Sequence, residues 1–252
     1  MNRRGSLAGA VLAALLAAAP APAQRTPAST VQHLRNAAMA GIEGNRFAEA
    51  GRYADALDRY TAGINHTDRG LDDYTRNGIG FHARPPVAYW LAARSHFDAA
   101  RMQVHLRRSP TVVDHHLVRG RQASDALLAL DSVQASRLRQ RFTADTWKYL
   151  FLRGQINLVR GDLSRARADY ERVARLNPGF VPAVETLSFI TYAEGRGMRG
   201  TTPQGLELPA KPAPRLSTGQ IVDISLQFLG LVSKKYSAEI EFARSVSQAM
   251  FQ

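Results

Sequence analysis

Cysteine is absent from all 252 residues. That excludes a disulfide framework, a thiol nucleophile and a thiolate metal site, and with them the lipid-bearing cysteine of a bacterial lipoprotein. Lysine is nearly as scarce, occurring only at Lys148, Lys211, Lys234 and Lys235. The 33 basic residues are therefore mostly arginine, set against 21 acidic ones, for a formal net charge of +12. Such a bias reflects a GC-rich genome as readily as it reflects chemistry. Long apolar runs are missing too. The run from Leu7 to Ala19 holds about 13 residues, short of the roughly 20 that a helix needs to cross a bilayer. Nor is there a phosphate-binding loop of the Lys-Ser/Thr kind or a Gly-x-Ser-x-Gly elbow.

What the N-terminus does contain is the three-part grammar of a secretory signal. Arg3 and Arg4 open it, the Leu7–Ala19 run follows, and Ala21-Pro22-Ala23 supplies the small-x-small cleavage pattern. Cleavage is expected after Ala23, which predicts a periplasmic or secreted protein with no transmembrane span once the signal is gone. The remaining 229 residues carry a formal charge of +10, enough for one large domain or a short repeat array.

An internal repeat organises that remainder. Gly44 is followed by Ala56, Tyr60 and Gly63 at intervals of 12, 4 and 3; Gly154 is followed by Ala166, Tyr170 and Val173 at the same intervals. Small residues at Gly44, Ala56, Gly154 and Ala166 would let two antiparallel helices approach closely, with Phe47, Tyr53, Tyr60 and Tyr170 filling the space beside them. Gly51 and Gly161 stand where one helix must end in the left-handed conformation. Pro178 closes the second copy.

These two passages, Gly44 to Ile64 and Gly154 to Pro178, resemble tetratricopeptide repeats, and Val181 to Gly195 is similar to a third, partial unit. The recognisable units span 37–70, 147–180 and 181–195. The resemblance implies an all-α, helical-hairpin solenoid, whose first helices line a concave groove that receives partner segments. Carried over by position, the groove-facing residues are Asn45 and Glu49 in the first unit. Lys148, Phe151 and Gln155 take those places in the second, and Glu185, Phe189 and Tyr192 in the third. Some members of the family clamp a terminal carboxylate with a lysine one turn before the Gly-Asn pair; here that place is Gly41.

Residues 71–146 depart from the pattern and read as a degenerate helical insert. Tyr89, Trp90, Ala93, Phe97, Ala100 and Val104 recur at helical spacing and predict a helix over Pro85 to Arg108. Val112 to Leu130 predicts another, and Ser132 to Gln140 a shorter third. Asn77 to Pro86 is the expected irregular segment. Residues 24–195 then form one repeat domain, followed by a Pro/Gly-rich linker over 196–216 and a C-terminal segment over 217–252. In that segment Val222, Ile224, Leu226 and Phe228 alternate as a strand would. Asp223, Gln227, Gly230 and Lys234, however, fall on one helical stripe, which predicts a mostly apolar helix continued after Lys235 by a second one. This segment is expected to cap the array or, alternatively, to dock on another protein.

Chemistry-bearing constellations are thin. Gly195-Arg196-Gly197-Met198-Arg199-Gly200 matches a dinucleotide fingerprint in letters but lacks the strand before it and the helix after it. Of the seven histidines, the adjacent His115 and His116 point about 100° apart on a helix, whereas helical metal ligands need three- or four-residue spacing. No pair of carboxylates stands out, so neither a cofactor nor a metal is expected. The sequon at Asn65-His66-Thr67 is incidental in a bacterial export product.

Between Arg101 and Arg175, 15 basic residues face 7 acidic ones. Nucleic acid would be the usual inference from such a balance, but an exported chain does not meet it. The reading that follows is a non-catalytic periplasmic adaptor or assembly subunit, binding protein partners in an envelope complex through its groove. The alternative is an anionic envelope-polymer (glycan) binder or hydrolase with its site in the 71–146 insert.

Overall fold

The computed structural model describes residues 28–194 and 218–244. The segments read as a secretory signal and as a linker, and the last residues, lie outside that range. All regular structure among the described residues is helical, with no strand. The chain divides into two compact units at Thr143 and Ala144. The C-terminal helices belong to the same unit as the second repeat.

Unit 1 is two helical hairpins. Helices α1 (Ala28–Glu49) and α2 (Tyr53–Arg76) pack along each other, as do α3 (Pro86–His105) and α4 (Pro110–Arg137), and α2 joins the two hairpins through α3. Close approach within the first hairpin comes from the small residues read in the repeat: Ala56 and Gly44 are both buried, with Tyr60 beside them. Phe47, Tyr53, Leu57 and Met102 close around that contact. In α3, 15 of 20 residues are buried, so it is a core helix and not an amphipathic one.

Unit 2 repeats the design with α5 (Thr146–Val159), α6 (Leu163–Leu176) and α7 (Val181–Ala193), followed by α8 (Thr218–Lys235) and the short α9 (Ser237–Arg244). Ala166, Tyr170 and Val173 are fully buried against α5, the same positions that recur in unit 1. On α8 the stripe Asp223, Gln227, Gly230 and Lys234 is exposed, while Ser225, Phe228, Leu229 and Val232 are buried. The helical reading of that segment holds; the strand-like alternation does not.

The helix ends share one local device. Gly51 has φ +72° and Gly161 φ +77°. In each case the glycine N–H bonds three residues back (Ala48 O or Leu158 O), and the next N–H bonds five back (Phe47 O at 2.9 Å, Asn157 O at 2.9 Å). This paired closure satisfies carbonyls that the helix leaves open. The same closure ends α3 and α4, but there Arg107 (φ 52°) and Arg139 (φ 55°) occupy the left-handed position.

Two boundaries differ from expectation. The α4 helix runs unbroken through Ser132, because Val113, Leu117, Gly120, Ser124, Leu127, Asp131 and Ala135 keep one buried stripe. Asp131 is a polar member of that stripe, hydrogen-bonded by Thr143, and it disguises the continuity. The α3 helix stops at His105, where Arg107 turns left-handed. The segment read as irregular, Asn77 to Pro86, holds a 3-10 turn at Phe81–Ala83 and ends where α3 begins. It is organised by Arg84, which donates to Ile79 O, Tyr89 Oη and Thr75 Oγ1.

Candidate functional site

The eight positions read as groove-facing end in quite different surroundings. In unit 1, Glu49 is exposed at the end of α1 and Asn45 is half-buried. Asn45 Oδ1 accepts from Tyr60 Oη at 2.8 Å, so it ties the first hairpin together. In unit 2 the remaining six are all wholly or largely buried, and what buries them is informative.

Phe151 points into the hairpin, edge-on to Tyr170 and to Phe180 at centroid distances of 5.8 and 4.9 Å. It is a packing residue, and Gln155, one turn on, is buried too. Burial also pushes the phenol of Tyr170 above its ordinary range.

The other positions meet the C-terminal helices. The Phe189 ring stacks flat on Phe228 of α8 at 4.3 Å, with 10° between planes. Glu185 Oε1 accepts from Lys235 Nζ at 2.7 Å and from Tyr236 Oη at 2.6 Å. That hydrogen bond, before any other influence, holds the Lys235 ammonium up to about 12. Lys148 Nζ lies 3.3 Å from Asp145 Oδ1 and 4.4 Å above the Phe242 ring of α9, a cation–π geometry. Trp147 stacks on Phe242 from the other side of the sequence. The helix α8 therefore lies on α5 and reaches across to α7. Glu185 and Lys148 both stand at positions that the repeat pattern marks as groove-facing.

Two features of this contact are incomplete. Glu185 Oε2 and Ser225 Oγ are buried without a hydrogen-bond partner. Phe242, although stacked, remains 60% exposed. Beside it an open depression of about 430 Å³ is walled by Asn177, Gly179 and Phe180 of the α6–α7 turn and by Ala238, Glu239 and Phe242 of α9.

The hydrolytic alternative draws on residues 71–146, whose interior carboxylates are occupied. Asp98 is held by Arg94 and Arg101 at 3.5 and 3.3 Å, and Asp131 by Thr143. Sequence reasoning missed the histidine contacts. His33 Nδ1 lies 3.2 Å from His66 Nδ1 across the α1–α2 hairpin, and His96 Nδ1 lies 3.1 Å from His116 Nδ1 across α3–α4. His115 is exposed on the next face, as its 100° offset requires. Burial first, then His116, Arg119 and His115, lower the His96 imidazole to about 3. Only a cross-hairpin register, which no local spacing encodes, brings these rings together. No group of three or more metal-ligating side chains occurs among the described residues, and no described helix is long and apolar enough to cross a membrane. No family model, no curated protein and no solved structure matches this chain.

Proposed function

We propose that this chain is a non-catalytic adaptor of the bacterial cell envelope, built from tetratricopeptide-like hairpins and working by binding protein segments. The observation that carries this reading is the seat of α8. The α5–α7 side of unit 2 holds an amphipathic helix through an aromatic stack, Phe189 on Phe228, and a carboxylate clamp, Glu185 on Lys235 and Tyr236. A surface that selects a helix by an apolar stripe with a polar anchor at its end is a recognition surface of the helix-in-groove kind.

The occupied carboxylates and mutually paired histidines described above support binding over catalysis. The N-terminal Arg3-Arg4 start, apolar run and Ala21-Pro22-Ala23 pattern support export.

The test is capture in the native setting. A tagged full-length chain, expressed at native abundance in its own host and purified from the envelope fraction, is expected to bring down a defined protein partner in stable ratio. Recovery of the chain alone, or in the cytosolic fraction with its first 23 residues intact, would overturn the reading.

A further inference from the structure

The seat on α5 and α7 is a poor fit for its present occupant in one specific respect. Glu185 offers two carboxylate oxygens, and both donors from the C-terminal segment, Lys235 Nζ and Tyr236 Oη, converge on Oε1. Oε2 is buried and unpartnered, as is Ser225 Oγ on the buried stripe of α8. Buried polar atoms left without partners weaken a contact out of proportion to their number. Lysine cannot remedy this, because its ammonium acts as a point charge. A planar guanidinium donates in parallel to both oxygens of one carboxylate.

The rest of the seat defines the remainder of a better ligand. Phe189 presents a flat face to a stacked ring. The buried positions of α8 give the apolar spacing that the seat accepts: 225, 228, 229 and 232. An incoming helix with a small apolar residue at the Ser225 place removes the second orphan.

Resting on the adaptor reading above, we propose that this seat is the partner site, and that α8–α9 is a tethered occupant which the partner displaces. The partner is an amphipathic helix with an aromatic side chain at the Phe228 place and an arginine at the Lys235 place.

The probes are two labelled synthetic peptides of residues 217–244, one with the native sequence and one with Lys235→Arg and Ser225→Ala. Each is titrated by fluorescence polarisation against the full-length protein and against full-length Lys235→Ala/Tyr236→Phe and Phe228→Ala variants. Both variants weaken the tethered competitor, and the first alters only solvent-side anchors, so it keeps the test usable if Phe228→Ala fails to fold. The expected result is that the variants bind the substituted peptide about tenfold more tightly than the native chain does, since a bound competitor lowers apparent affinity by the fraction of seats it fills. Within a variant background, the substituted peptide should bind about tenfold more tightly than the native one, and Glu185→Gln should cut that preference to the part that Ser225→Ala contributes. Absence of binding to a helical Lys235→Ala/Tyr236→Phe variant overturns the proposal. So does equal binding of the two peptides, or a preference that Glu185→Gln leaves undiminished. Envelope capture that is unaffected by Glu185→Gln would leave the adaptor reading standing and move its site elsewhere. Peptide exchange without any envelope partner would do the reverse.

Discussion

The ring of Tyr60 fills the space that a side chain on Gly44 would need: a Cβ built there would stand 2.5 Å from Tyr60 Cε1. The ring has no room to retreat, since its hydroxyl is bonded to Asn45 and its body is buried. Gly154 stands in the same relation to Tyr170, with the nearest ring atom at 3.0 Å. Gly41, one turn before Gly44, has nothing within 4 Å. Gly44→Ala should therefore destabilise unit 1 by about 1–3 kcal/mol through overpacking. Gly41→Ala should stabilise it by about 0.5–1 kcal/mol through helix propensity alone. Urea unfolding of the two variants checks the opposite signs.

The left-handed helix ends give a second pair of opposite outcomes. Replacing Gly161, at φ +77°, by alanine should cost about 1 kcal/mol, because a Cβ is strained there. Arg107 and Arg139 already sit in that region, so Arg107→Gly or Arg139→Gly should raise stability by a comparable amount, about 1 kcal/mol. Thermal melts suffice. A loss of stability in the arginine variants would mean that those side chains hold contacts worth more than the strain.

Asp169 clasps the α5–α6 hairpin. Its carboxylate accepts from Arg153 at 2.6 and 3.0 Å and from Asn157 at 3.0 Å, and it is buried. Asp169→Ala should cost about 3 kcal/mol, since it removes a buried carboxylate that three hydrogen bonds hold to α5. The Arg52–Asp55 pair is exposed on both sides, so Asp55→Ala should change stability by less than about 0.5 kcal/mol. Denaturant midpoints of the two variants measure the contrast.

Unit 1 should be acid-sensitive. The groups that face His96 from α4 are His116, His115 and Arg119, and all of them disfavour its protonated form. Its folded value near 3 lies below the ordinary 6.5, so the unfolded chain binds the proton more readily throughout that window. Stability is then fully present above pH 6.5 and falls as the pH drops, by on the order of 3 kcal/mol at about pH 4. His96→Gln should flatten that dependence. Melts recorded between neutral and acidic pH, with and without the substitution, decide the matter.

Much of this architecture is legible in the chain. The register Gly44–Ala56–Tyr60 and its copy Gly154–Ala166–Tyr170 predicted which residues the hairpins bury, because helix approach is set by residue size at fixed spacing. The polar stripe on α8 was readable for the same reason. What escaped were relationships between segments. Nothing local tells that Glu185 and Phe189 would meet Lys235 and Phe228, some 40 to 50 residues along. Spacing fixes a residue's phase in the repeat, yet not the segment that packs on it. The break read at Ser132 failed because Asp131 is a buried aspartate held by Thr143, and apolar periodicity does not register a satisfied polar residue.

In each hairpin of unit 1 the two imidazoles meet through the same atom, Nδ1 to Nδ1. A hydrogen bond between them requires a donor and an acceptor, so when both rings are neutral only one of the two can hold its hydrogen on Nδ1. The other must carry it on Nε2. Residues of identical chemistry are thereby forced into unlike tautomers, and each hairpin has two alternative ways of distributing its protons. Nitrogen shifts of the four rings would show two inequivalent partners in each pair, or their average if the protons trade places quickly.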